Sequence, residues 1–328
     1  MRLPDDLRAA IAQQETAVDA RELASAAVRL TDNYKRGQFS SALTAPADRV
    51  AYLAIRMPAT YAACAKVFAA IRLRMPNAQC RSFLDLGAGP GTAMWAAAES
   101  FELEQITCVE RNQALLDLGA SFASRSGNAA LRSTRWLPGD VAQLRDLPAH
   151  DIVVFSYVVG EIADAQGEKL LRAAWLKARS LLVMIEPGTP EGFRRVHGAR
   201  ALLLDSGAHL VAPCPHHETC PMFATADWCH FSARVERSAE HRRLKGGSLG
   251  YEDEKFSYVV ASKQPIALPD SRVLRHPLVH PGHLRLTLCR PGRPESKTVT
   301  KSQKSLWRYA RKLEWGAEWR PPSDPPQP

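Results

Sequence analysis

Four short apolar runs punctuate the middle of this chain: SFLDL, QITCVE, DIVVFSYVV and LLVMIEP. Between them, GTAMWAAAESF, NQALLDLGASFAS and GEKLLRAAWLKAR carry apolar residues at helical spacing. Short runs of this kind alternating with amphipathic helices are the pattern of a parallel sheet built from βαβ units, whose strands are covered on both faces. The spacing therefore predicts an α/β, doubly wound domain over residues 79–264. Residues 1–78 are Ala-rich and helically patterned, as in VAYLAIRMPATYAACAKVFAAIRLRM, and predict an α-helical N-terminal region. A Cys- and His-rich loop (213–231) and a further strand, KFSYVVAS, follow. The segment 265–316 holds HLRLTLC and a basic helix, and residues 317–328, ending RPPSDPPQP, read as a disordered tail.

At 328 residues, 45% hydrophobic and 23% charged, the chain can bury one large core or two smaller ones. It has no apolar run long enough to span a bilayer, and MRLPDDLRAAIAQQE lacks the apolar core of a secretory leader, so a cytoplasmic protein without a membrane partner is expected. Seven unevenly spaced cysteines do not read as a disulfide framework, and in a reducing compartment clustered thiols point to metal ligation or redox chemistry. The net charge of +9 is unevenly spread: Arg290 to Lys312 holds eight Lys or Arg against Glu295 alone. In SQKSLWRYARKLEWG the bases Lys301, Lys304, Arg308 and Arg311/Lys312 recur at helical spacing, with Gly316 where a helix would end. Like charges without acids to pair them repel, and with Lys297 they predict a face that contacts nucleic acid, the alternative being a merely solvated helix face. Trp307 and Tyr309 could stack on bases, but packing into a core is the simpler role for each.

The first chemical motif is LDLGAGPGTA. A buried strand runs into Gly87, Gly89 and Gly91, where missing side chains allow a tight turn and close approach of a ligand to the backbone, and a helix begins directly after. The G-x-G-x-G spacing after Asp85 resembles motif one of class I S-adenosylmethionine (SAM) methyltransferases rather than a dinucleotide fingerprint. Glu110, ending the next strand in CVERN, is placed to accept hydrogen bonds from ribose hydroxyls of SAM or of a dinucleotide. Asp140 in PGD falls where the adenine end would lie, although an N-cap explains it equally well. The three elements in order favour SAM over a nicotinamide cofactor.

In a doubly wound sheet the reaction centre lies beyond the carboxyl ends of the strands, which points to Ser156, Tyr157 and Glu161 after DIVVF and to Glu186 and Pro187 after LLVMI. Tyr157 and Glu161 are the catalytic candidates. No Asn-Pro-Pro-Tyr or Asp-Pro-Pro-Tyr motif is present to hold an exocyclic amine, and no cysteine follows the strand to act as a nucleophile, so the acceptor is not specified. Thr189 and Pro190 in EPGTPEGF sit where an N-cap and first helical residue belong.

Cys214, Cys220 and Cys229 lie together in PCPHHETCPMFATADWCHF, and Cys289 ends HLRLTLC. Cys64, Cys80 and Cys108 sit in helix or strand patterns, where free cysteine acts as a small hydrophobe. The other four are metal candidates, the alternative being a chance cluster of small, buried thiols. Their spacing matches neither a zinc ribbon nor the bacterial ferredoxin run, and zinc and iron–sulfur both stay open on spacing alone.

Taken together, AYLAIRMPATYAA, LDLGAGPGTA, SYVVGEI, IEPGTPEGF, PCPHHETCP, DWCHFSARVER and LTLC followed by SKTVTKSQ resemble the small-ribosomal-subunit methyltransferase-like family, bacterial relatives of mitochondrial Rsm-twenty-two, known in animals as methyltransferase-like protein seventeen. The resemblance runs from about Ala51 to Gly316. It implies a class I methyltransferase fold, association with the small ribosomal subunit or its RNA during assembly, and a [4Fe–4S] cluster on Cys214, Cys220, Cys229 and Cys289. It also implies SAM contacts at Asp85, Gly87, Gly89 and Gly91, with Glu110. Two activities remain open on these grounds: methyl transfer, or a non-catalytic assembly factor that keeps the fold as an RNA-binding scaffold.

Overall fold

The computed structural model describes residues 1–35, 43–143 and 148–321. The chain opens with helices α1 (Asp5–Thr16), α2 (Ala20–Lys35) and α3 (Pro46–Arg74). Pro46 stands at the first turn of α3, where its missing N–H is not needed. Asp48 accepts from the Ala45 N–H at 3.2 Å and from Arg29 of α2 at 2.6 Å, tying the two helices together. The Ala-rich middle of α3 presents little bulk, so the helix lies close against the sheet, burying Met57, Val67, Phe68 and Ile71 completely.

The α/β domain follows as β1 (Ser82–Leu86), α4 (Thr92–Ala98), β2 (Gln105–Glu110), α5 (Gln113–Ser124), α6 (Ala129–Arg132), β3 (Arg135–Pro138), β4 (His150–Ser156), α7 (Asp164–Lys177), β5 (Ala178–Pro187) and α8 (Pro190–Asp205). It continues through β6 (His209–Ala212), β7 (Phe231–Glu236), α9 (Ala239–Lys245) and β8 (Tyr251–Ser262). The strands lie in the order β3-β2-β1-β4-β5-β8-β6, with β7 paired along β8. Neighbours from β3 to β5 are parallel, while β8 is antiparallel to β5, β6 and β7. This is a Rossmann-like, doubly wound sheet. Because the strand order reverses between β1 and β4, their carboxyl ends open a crevice at the switch point. As the sequence predicts, Thr189 caps α8, its hydroxyl accepting from the Gly192 N–H at 3.1 Å.

The rest of the described chain forms a small second sheet: β9 (Ser271–Val273), β10 (Leu278–His280), β11 (His283–Cys289), β12 (Glu295–Thr300) and β13 (Glu318–Trp319), with α10 (Lys304–Ala310) laid on one face. Its core is Val273, Leu284, Leu286, Leu288, Val299, Ala310 and Trp319, against which Trp307 and Tyr309 pack. Two expectations change here. The basic helix has only seven residues; Lys297 belongs to β12, Lys301 to the turn before α10, and Arg311 and Lys312 to the turn after it. The expected tail also overlaps described structure, since Trp319 is 2% exposed and β13 pairs with β9. Residues 322–328 lie outside the described residues.

Candidate functional site: a glycine-lined cleft, a cysteine pocket and a cationic domain

The crevice at the switch point is a partly enclosed cleft. Asp85, Gly87 and Gly89 line it from the end of β1, Glu110 from β2, Gly139 and Asp140 from the loop after β3, and Ser156, Tyr157 and Glu161 from the segment after β4. Gly87 and Gly89 both hold positive φ, but for different purposes. A Cβ on Gly87 would lie 2.3 Å from Val158, so that glycine permits packing. On Gly89 it would meet only the Tyr52 hydroxyl, at 3.8 Å, and the space is left for a ligand. Gly91, also at positive φ, precedes α4 and packs against Met94 and Trp136, away from that space.

Two acids define the floor. Glu110 accepts from the Gly89 N–H at 2.8 Å with one oxygen and from the Asn112 N–H at 2.7 Å with the other, which fixes the glycine turn. Asp85 is 1% exposed, and neither of its carboxylate oxygens has a hydrogen-bond partner among the described residues. Burial, and secondarily the charge of Glu110, pushes its pKa up to about 7. A buried carboxylate without donors is costly, and a cationic or N–H-bearing ligand in the cleft would relieve that cost. Asp140 accepts from the Ala142 N–H at 2.9 Å and from Gln143 at 3.2 Å, so it caps its own turn while facing the cleft.

The two catalytic candidates are both engaged. Tyr157, held at φ +60°, donates its hydroxyl to Glu254 at 3.0 Å, and Arg56 pairs with the same carboxylate at 3.2 Å. Burial, followed by the charge of Glu254, raises the tyrosine pKa well above its usual value. Glu161 pairs with Arg111 at 2.9 Å. Glu186 is buried at the end of β5 and bound by Arg195 at 2.7 Å, and it does not line the cleft. One wall was not anticipated: Tyr52, Arg56 and Thr60 of α3 close the cleft from above. Their four-residue spacing puts three polar groups on one face of the mostly apolar middle of the helix, and that was the available signal.

The four cysteines expected to act together come from four places: Cys214 after β6, Cys220 ahead of a short 3-10 turn (Pro221–Ala224), Cys229 before β7 and Cys289 at the end of β11. Cys220 and Cys289 are buried beside Cys229 in one apolar cluster with Phe193, Met222 and Leu274. Burial first, then the charges of Cys214, Cys220 and Cys289, raises the Cys229 thiol well above its ordinary pKa, and burial with Cys214 and Cys220 pushes Cys289 to about 12. All seven cysteines are free thiols. Among the described residues no group of three or more His, Cys, Asp or Glu side chains is arranged to hold a metal ion. Buried arginines brace the pocket. Arg200 donates to the His216 carbonyl at 3.2 Å, and Arg272 donates to the Pro213 carbonyl at 2.8 Å and the Gly316 carbonyl at 2.8 Å. Arg272 thus joins the cysteine loop to the small domain.

That small domain is the charged part of the molecule. Residues 271–313 hold 11 Lys and Arg against one acid, Glu295, while the remaining 32 basic and 33 acidic residues of the chain nearly cancel. Lys301, Lys304, Arg308, Arg311 and Lys312 are exposed and Lys297 is half-buried. Glu295 is taken by Arg290.

A family profile described as "Mitochondrial small ribosomal subunit Rsm22" matches residues 46–320. The chain belongs to the Rsm22 family. It is 28% identical over 293 residues to the human "Ribosome assembly protein METTL17, mitochondrial", covering 81% of this chain and 61% of that one. To the "Rsm22-cox11 tandem protein 2, mitochondrial" of Schizosaccharomyces pombe it is 27% identical, covering 81% of this chain and 42% of that one. The chain thus spans about three fifths of the human relative and two fifths of the yeast one. The family and both relatives are mitochondrial by name, which overturns the expectation of a cytoplasmic protein. Among solved structures, a magnesium protoporphyrin IX methyltransferase from Synechocystis shares 11% identity at a TM-score of 0.41, over 71% of this chain and 91% of that one. A precorrin-6y C5,15-methyltransferase from Geobacter metallireducens shares 17% at 0.40, over 61% and 88%. Among the described residues, no helix is long and apolar enough to cross a membrane.

Proposed function

We propose that this chain is a SAM-dependent methyltransferase-like protein that works on or with the small ribosomal subunit and its RNA during ribosome assembly. The observation that carries the reading is the unpartnered Asp85 carboxylate facing a glycine cradle in the cleft of an Rsm22-family chain. Gly87, Gly89 and Gly91 would shape the turn around SAM, Glu110 would hold both that turn and the ribose, and Asp140 would face the adenine end. The cofactor supplies an electrophilic methyl group on a sulfonium. The protein's task is then to orient an acceptor and exclude water, and Tyr157 and Glu161 are the nearest residues for that. Lys297, Lys301, Lys304, Arg308, Arg311 and Lys312 would neutralise RNA phosphates.

The same reading includes a [4Fe–4S] cluster on Cys214, Cys220, Cys229 and Cys289, with zinc as the alternative. Its support is that Cys220, Cys229 and Cys289 share one apolar cluster and that Cys214 is near enough for its charge to raise the pKa of the Cys229 and Cys289 thiols. Bound metal would favour their thiolates and tie the loop after β6 to the end of β11. Iron, sulfide and zinc counted on anaerobically purified protein test this: about four irons and four sulfides, lost in Cys289→Ser, support the cluster. No metal at all sinks it.

A second reading, a non-catalytic scaffold, is favoured by one observation: the Tyr157 hydroxyl at the acceptor end already donates to Glu254, a carboxylate that Arg56 pairs with as well. Methyl transfer to purified small-subunit RNA, abolished in Gly89→Arg, decides for the enzyme. Growth supported fully by Gly89→Arg decides for the scaffold.

A further inference from the structure

The outer face of the small sheet takes no part in anything described above. β11 is its centre, with β12 along one edge and β10 along the other. Alternation turns Leu284, Leu286 and Leu288 inward beneath α10, and so turns His283, Arg285 and Thr287 outward. The register sets His280 opposite His283 and Leu278 opposite Arg285 on one side, and Thr300 opposite His283 and Thr298 opposite Arg285 on the other. Leu278, His280, His283, Arg285 and Thr298 are all exposed. The two imidazole rings stack, with centroids 4.8 Å apart and planes 16° from parallel. Glu295, the one acid on these strands, is opposite Leu288 and so belongs to the covered side, where Arg290 takes it. The outer face therefore combines flat rings, a guanidinium and hydroxyls, with no carboxylate.

We propose that this face is a platform for unpaired RNA bases. The proposal rests on the reading of the small domain as an RNA interface and deepens it, because it divides the work between two sides of the domain. The cations on and around α10 meet phosphates, while the sheet meets bases. A stacked ring pair beside a guanidinium offers π surfaces on which any base can lie, and the exposed Thr298 offers a hydroxyl to base edges or to the 2′-hydroxyl. An A-form duplex keeps its base faces internal and cannot use such a surface. Lys301, in the turn between β12 and α10, is positioned to carry the backbone of one strand from one side to the other. The chemical class recognised is single-stranded RNA.

The test uses the full chain and fluorescence anisotropy with a short labelled RNA, offered as a single strand and as a duplex of the same sequence. His280→Ala/His283→Ala is expected to weaken single-strand binding by about tenfold or more while changing duplex binding by less than about twofold. His280→Phe/His283→Phe, which keeps the rings, is expected to restore single-strand binding. All the altered side chains are exposed, and an unchanged melting temperature verifies folding in each variant. Lys304→Glu/Arg308→Glu is expected to weaken both RNAs. If that pair weakens both RNAs but the histidine variants bind the single strand as the parent does, or lose both RNAs equally, the platform is wrong and the RNA interface stands. If neither set alters binding, the RNA interface itself is wrong, and the platform with it.

Discussion

The α/β domain and the small domain present recognition surfaces of opposite construction. The cleft is made by buried groups: an unpartnered Asp85, a glycine turn pinned by Glu110, and a roof of α3 side chains. The small domain is made for recognition by what it leaves outside, since its 43 residues from Ser271 to Leu313 carry a net charge of +10 against −1 for the rest of the chain. The difference teaches where sequence change should register. In the cleft, a substitution alters packing and folding along with binding. On the cationic surface it alters binding alone.

The largest effect is expected at the joint between the two. Arg272 is 3% exposed, serves the Pro213 and Gly316 carbonyls and pairs with the largely buried Glu318 carboxylate at 3.5 Å, so Arg272→Met should cost about 3 kcal/mol or more in urea unfolding, as removal of one buried charged partner does. Next come the two glycines. Gly87→Ala combines positive φ with a Val158 clash and should cost about 2 kcal/mol, whereas Gly89→Ala meets no neighbour closer than 3.8 Å and should cost about 1 kcal/mol while weakening SAM. Equal losses at the two positions would contradict the division between packing and ligand space.

Asp85 gives a subtler test. Its pKa is raised from 3.8 to about 7 in the folded chain, so the folded state binds the proton more tightly than the unfolded one. The stability this contributes is present below 3.8 and is lost as the pH rises to about 7. A cationic ligand that pairs with the carboxylate removes that loss, so the thermal upshift caused by SAM should grow between about pH 5 and pH 8 and stop growing in Asp85→Asn. The smallest effect on stability belongs to the surface. Lys304→Ala/Arg308→Ala should change unfolding by less than about 0.5 kcal/mol and reduce the salt slope of RNA binding by about 2.

Legibility followed the same division. The parallel strands could be read because SFLDL, QITCVE, DIVVFSYVV and LLVMIEP are largely buried on both faces and so mainly apolar, with their acids at or near the strand ends, and the glycine turn could be read because its spacing is imposed by backbone geometry. The strand RWLP of β3 was not legible: it lies at the sheet edge, is only partly covered, and has Pro138 at its end. The strands β10 and β13 are three and two residues long, too short for any alternation to show. The basic stripe was legible as charge but misplaced as structure, because Lys301 and Lys312 keep helical spacing while lying in the turns on either side of α10. The α3 wall of the cleft was hidden because Tyr52, Arg56 and Thr60 are far in sequence from the glycine turn, and only the fold brings them to it.

The division of labour is tested most directly by ultraviolet cross-linking of the full chain to small-subunit ribosomal RNA, with the linked peptides located by mass spectrometry. Cross-links concentrated between Ser271 and Leu313, on the outer sheet face and around α10, are the predicted result. Cross-links confined to the α/β domain would contradict the account, because they would place RNA on the half of the molecule whose charges nearly cancel.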